Sequence, residues 1–224
     1  MAVSACESTE QESAKIAREG AAGSSALKLG AANHDVRVSD ATLLSSGGRM
    51  AVAVKLTSTT GRTQANLPVL VNVTGAGGKV LYSNEAGGLE ASLQHMPLLR
   101  AHQSAWWVDD QVLTSQHTTG VKVKVGTGSS APTASPGLTT TAVHTRTQGG
   151  VSTVTGRLVN GSGKAQSQVP VFAVALEGTR AVAAGSVVVA SVAPKASASF
   201  QLFLIGNASG ARLQLDAVAT GGAR

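Results

Sequence analysis

Cysteine occurs once in this chain of 224 residues, aromatic residues make up only 3% of it, and charged residues only 13%. A single cysteine excludes an internal disulfide framework and any multi-thiolate metal site, so stability rests on packing. With few aromatic rings, the core has to be assembled from Val, Leu and Ala within a hydrophobic fraction of 42%. The longest apolar stretches, "VPVFAVAL" and "VVVASVA", fall far short of the ~18 residues that mark a membrane-spanning helix.

Catalytic signatures are equally scarce. No GxSxG occurs, and "NGSGK" lacks the leading glycine and the following Ser/Thr of a phosphate-binding loop. "SALK" (Ser25 to Lys28) matches SxxK by spacing but has no KTG partner and no scaffold for an oxyanion hole, so it reads as coincidence. His95, His102 and His117 fit no ligand spacing and read as solvated loop residues. Asp109 and Asp110 would point to opposite faces of a strand. No paired carboxylates for acid–base work, no cofactor motif and no metal site emerge. The expectation is a protein that is not an enzyme.

The net charge is +6, and its distribution is informative. Seven Lys/Arg face two acids over residues 138–224, while residues 1–34 and 35–125 are nearly balanced. The seven cations are spread singly. A diffuse field of this kind suits anionic surfaces such as lipid head groups or wall polymers. It lacks the basic cluster with interleaved aromatics that nucleic-acid binding requires, so no nucleic acid is expected.

What is present begins at the lone cysteine. "VSAC" (Val3 to Cys6) resembles the bacterial lipobox, an aliphatic residue and two small residues ahead of the cysteine that receives diacylglycerol. The resemblance implies a lipidated Cys6 and an extracytoplasmic, membrane-anchored cell-surface location. "MAVSA" has neither the charged region nor the apolar region of a secretory signal, so that signal would lie upstream of Met1. Two or more acyl chains, at ~0.8 kcal/mol per buried methylene, would hold the protein at the membrane without any other element. Next, "ESTEQESAKIAREG" has a capping-box spacing between Ser8 and Gln11 and stops at Gly20, which predicts a short polar helix. "AAGSSALKLGAANHD" is Gly/Ser/Ala-rich and reads as a flexible stalk, so residues 1–34 form the anchor, helix and tether.

The remainder contains an internal repeat. "KLTSTTGRTQANLPVLVNV" (55–73) aligns without a gap on "RLVNGSGKAQSQVPVFAVA" (157–175), sharing a strand, a Gly-containing turn, a proline and a second strand. Met50, Val52, Val54 and Leu56 alternate as a half-buried strand should, with Val154 and Leu158 in the equivalent places. Pro97 precedes "SAWWV" as Pro194 precedes "ASFQLFL", which sets Trp106 beside Phe200 in the alignment. About six or seven short strands per copy predict an all-β protein of two tandem β-sandwich domains, residues 35–125 and 139–224. The Gly/Ser/Pro linker of residues 126–138 joins them. On "VTGRLVNGSGK" (154–164), "VPVFAVAL", Gly185, and Pro194 ahead of "SASFQLFL", residues 139–220 resemble the immunoglobulin-like FxLYD family, with "ALEG" at that family's Tyr-Asp signature. The resemblance implies a tandem immunoglobulin-like cell-envelope interaction module without catalytic residues.

Trp106 and Trp107 are neighbours, so on one strand they face opposite sides. One fills the core. The other either faces outward, where it could stack on a sugar, or packs against the second domain or the leader. Trp106 and Trp107 are therefore the candidate ligand-binding residues. Asn72, Asn160 and Asn207 begin Asn-x-Ser/Thr sequons, which read as chance in a Ser/Thr-rich chain with a lipobox-like start. The reading is a non-catalytic cell-envelope lipoprotein that binds or scaffolds envelope proteins outside the membrane. The alternative is a carbohydrate or anionic wall-polymer binding protein that uses an exposed Trp and the basic second domain.

Overall fold

A computed structural model describes residues 26–132 and 137–219. Cys6 and the helix expected over Ser8 to Gly20 lie outside the described residues. Within them the chain is all-β. The first half contains β1 (Val36–Ser46), β2 (Arg49–Ser58), β3 (Gln64–Thr74), β4 (Val80–Ser83), β5 (His95–Leu99), β6 (Ser104–Val112), β7 (Gly120–Val125) and the two-residue β8 (Ser129–Ser130). The second half contains β9 (Leu138–Gln148), β10 (Val151–Asn160), β11 (Gln166–Glu177), β12 (Arg180–Val192), β13 (Ser197–Gly206) and β14 (Arg212–Ala217).

The two halves repeat one another strand for strand. The same spacing separates Val36 from Leu138, Arg49 from Val151 and Gln64 from Gln166, the first residues of the first three strands in each half. β1 and β2 are joined by Gly47 and Gly48, and β9 and β10 by Gly149 and Gly150. All four glycines have positive φ, between 56° and 78°. A two-residue hairpin needs positive φ at both central positions to match the twist of its strands, which is why both turns read Gly-Gly. The halves differ where the continuous β12 of the second is split into β4 and β5 in the first. Asn84 plugs that gap: its Oδ1 accepts from the Val71 amide at 2.8 Å, and its Nδ2 donates to the carbonyls of Val69 and Leu93. Buried backbone groups left by the interruption thus keep partners.

All strand pairs are antiparallel. β2 lies between β1 and β6 in a three-stranded sheet, and the equivalent β10 lies between β9 and β13. β3 pairs with β7 on one side and with β4 and β5 on the other, as β11 pairs with β14 and β12. β13 also touches β12 at Ala183 and Ala184, so the second half forms one continuous six-stranded sheet folded over on itself. In each half a sheet built round β2 or β10 faces a sheet built round β3 or β11. The architecture is β-sandwich-like.

Burial connects the halves. Along β11, Val171, Ala173 and Ala175 belong to a cluster inside the second half with Val154, Leu158 and Phe200. The alternate residues Phe172, Val174 and Leu176 join Trp106, Val108 and Val54 in the main cluster of the first half. The unbroken apolar run "VPVFAVAL" is explained by this: a strand covered on both faces needs no polar alternation. The result is four stacked layers, two of them the two halves of the folded six-stranded sheet, with the β1–β2–β6 sheet covered on its outer face by β11, β12 and β13.

The start of the described chain departs from the expected flexible stalk. Leu27 is 4% exposed and its amide donates to the Glu85 carbonyl at 3.1 Å. The Asn33 side chain donates to Gln64 and to the Gly126 carbonyl, and Ala32 bridges Gly126. Residues 26–34 are therefore docked on the first half, held by one buried leucine and backbone pairing. The linker is also shorter than expected, because Ser129 and Ser130 pair with Ala65 and Gln64 at the start of β3.

Candidate functional site

Period-two alternation puts Trp107 and Asp109 on one face of β6 and Trp106, Val108 and Asp110 on the other. Trp107 points into the first half, where its Nε1 donates to the Ser92 carbonyl at 2.8 Å. Trp106 points towards the second half. The two rings are 0% and 1% exposed, so neither offers a face on which a sugar could stack. The outward tryptophan allowed by the sequence is instead the centre of the contact between halves. Its equivalence with Phe200 also needs correction. Val54 pairs with Trp107 as Gly156 pairs with Phe200, so Trp107 is the repeat partner of Phe200 and Trp106 that of Ser199.

Three carboxylates surround this contact. The Tyr82 hydroxyl donates to Asp109 Oδ2 at 2.6 Å, and the Gln111 amide donates to Oδ1 at 3.0 Å. Asp109 is fully buried, and that burial pushes its carboxyl up to about 6 despite both hydrogen bonds. Burial, reinforced by the Asp109 charge, pushes the Tyr82 hydroxyl up as well. Asp110 crosses between halves: it accepts from the Ser186 amide at 2.8 Å and from the Ser186 hydroxyl at 3.1 Å. Asp216 crosses in the other direction, accepting from the Trp106 amide at 2.9 Å, while Lys55 Nζ sits 5.8 Å from the centre of the Trp106 ring. Burial raises both of these carboxyls, and their hydrogen bonds oppose the shift. All three acids hold sheets together, and Asp216 also lines a cavity of about 220 Å³ at the junction with Arg100, Gln103 and Thr140.

The histidines remain apart. Among the described residues no group of three His, Cys, Asp or Glu is placed to hold a metal ion. His95 is half-buried and its pKa is lowered by that burial, opposed by the ring's hydrogen bond to the Ala91 backbone carbonyl.

The outer face of the β9–β10–β13 sheet is the exposed surface with recognisable chemistry. Pairing across β10 puts Arg146, Thr153 and Phe203 in one row, His144, Thr155 and Gln201 in the next, and Thr141, Arg157 and Ser199 in a third. Val151 and Phe203 there are 47% and 43% exposed, two of the four large exposed hydrophobic residues among the described residues. Thr153 and Arg157 are four residues apart, so the two arginines lie roughly 13 Å apart along the strands. No acidic residue occurs in these rows. In the repeat this face corresponds to the outer face of β1–β2–β6, which carries Trp106, Val108 and Ala53 and is buried by the second half. Sequence reasoning could have found it from the alternation of Thr153, Thr155 and Arg157 with the buried Ser152 and Val154, but the tryptophans drew attention elsewhere. The sequence matches no protein-family model and no curated protein.

Proposed function

We propose that the chain is a non-catalytic cell-envelope lipoprotein. In this reading its two immunoglobulin-like, FxLYD-resembling domains, anchored through Cys6 outside the membrane, present the free β9–β10–β13 face to an anionic envelope partner. The observation that carries this is the pair of equivalent faces. One is occupied by a neighbouring sheet, and its counterpart is open, carrying Arg146, Arg157 and His144 round the exposed Phe203. Exposed apolar surface rimmed by polar residues of one charge marks an interaction surface. The lipid anchor rests on "VSAC" and on the absence of any other cysteine. Carbohydrate stacking on Trp106 or Trp107 loses its basis because both rings are buried. The anionic wall-polymer form of that reading keeps its support, through the arginines.

Two measurements test the proposal. Intact mass of the protein from its native host, against Cys6→Ala, should show a chain beginning at Cys6 with added acyl mass. An unmodified cysteine removes the anchor. Binding of the purified protein to isolated cell walls should fall at least tenfold in Arg146→Glu/Arg157→Glu and weaken with salt. Unchanged binding rejects the face.

A further inference from the structure

We propose that the open end of the second half is a binding cleft for a small neutral amphiphile, a molecule with an apolar body and one hydroxyl or carbonyl head. A cavity of about 310 Å³ lies between the inner side of β9 and the β11–β14 pair, lined by Thr145, Thr147, Ala175, Leu204, Leu213 and the turn at 208–211. This volume is at the lower end of ligand sites and suits an occupant of roughly ten non-hydrogen atoms.

The internal repeat supplies the comparison that makes the cavity meaningful. Pairing matches Thr145 with Leu43, Ser152 with Met50, Ala175 with Val73 and Ala183 with Tyr82. In the first half Leu43, Met50 and Tyr82 pack onto the core and fill the same end of the sandwich. The second half has kept the backbone and replaced the filling by small side chains. The cleft is open to solvent at Thr145, Thr147 and Ser209, and its apolar walls lack the packing contacts that an occupant would supply.

The lining sets the class of that occupant. Ala175, Leu204, Ala211 and Leu213 form apolar walls, and no charged side chain contributes. Thr147 Oγ is already hydrogen-bonded to Ser152 Oγ at 2.9 Å. Thr145 and Ser209 hydroxyls remain at the mouth to meet a neutral head, whereas a charged head would have no countercharge. This site is independent of the arginine-bearing face, which lies on the other side of the same strands.

The test is a proton–nitrogen NMR titration of the full chain with 1-heptanol, with heptanoate as charged control. Saturable shifts confined to β9, Ala175 and residues 208–213 are expected, with heptanoate at least tenfold weaker. Thr145→Leu/Ala175→Val restores the first-half residues and should weaken heptanol binding at least tenfold. Should that pair fold poorly, Ala208→Leu blocks the mouth from the turn and should have the same effect. Absent or scattered shifts, equal binding of heptanoate, or binding that survives both the refilled and the blocked variants overturns the proposal.

Discussion

Asn66 and Gln168 are the same residue of the repeat, and both hold the left-handed conformation, at φ 52° and 49°. In each half the ladder is broken at that residue, with pairs on either side and none at it, immediately before Leu67–Pro68 and Val169–Pro170. Glutamine, one methylene longer than asparagine, keeps a conformation that costs of order 1 kcal/mol outside glycine and asparagine, so the local geometry is set by the strand and not by the residue. Gln168→Gly should stabilise the protein by up to about 1 kcal/mol, and Asn66→Gly by less, because asparagine already tolerates this region. Denaturant unfolding of the two variants checks the order.

Asp109 makes stability depend on pH. Its folded pKa of about 6 lies above the unfolded value near 4, so the ionised form is the one folding disfavours. The penalty is absent below about pH 4, grows between 4 and 6, and is complete above 6. Unfolding free energy should therefore fall by about 2–3 kcal/mol from this group between pH 4 and pH 7. Asp110 and Asp216 act in the same direction. Asp109→Asn should flatten part of the profile, whereas Tyr82→Phe removes a hydrogen bond to the charged form and should extend the loss to higher pH and deepen it.

Trp106→Ala empties the contact between halves and should cost about 3–5 kcal/mol. Calorimetry should show the single unfolding transition of the wild type becoming two. Ser186→Ala removes one of two hydrogen bonds to Asp110 and should cost only about 1 kcal/mol without splitting the transition.

Gly185 and Gly156 fill different roles. A Cβ at Gly185 would lie 2.0 Å from the Phe203 carbonyl oxygen, a backbone atom of the strand next to β12. At Gly156 it would meet the Phe200 ring in the core at 2.6 Å. A ring can shift and a backbone carbonyl cannot without parting the strands, so Gly185→Ala should be the more destabilising. Gly156→Ala should cost about 1–3 kcal/mol. Thermal melts of both variants test the ranking.

The repeat, the all-β class and the opposed faces of Trp106 and Trp107 were legible in the chain because each follows from period-two patterning over short windows. The paired Gly47–Gly48 and Gly149–Gly150 turns carried an equally local signal that the alignment of 55–73 on 157–175 did not reach. What covers Trp106 was not legible, because that depends on Phe172 and its neighbours from a strand far away in sequence. The Trp106–Phe200 match failed for a related reason: the detour held by Asn84 changes the spacing after β4, and proline positions alone do not fix the register. Docking of residues 26–34 turns on Leu27, a single apolar residue in a Gly/Ser/Ala-rich stretch that composition assigns to a tether.

Because Phe172, Val174 and Leu176 complete a core that begins with Trp106 and Val108, neither half can change its contact face without the other. Exchanging one half with that of a related protein should yield insoluble chimaeras unless both sides of the seam travel together, while the Arg146–Phe203–Arg157 surface stays free to diversify. Substitutions on the inner side of β10 and β13 should therefore cost stability, while those on the outer side should leave the fold intact.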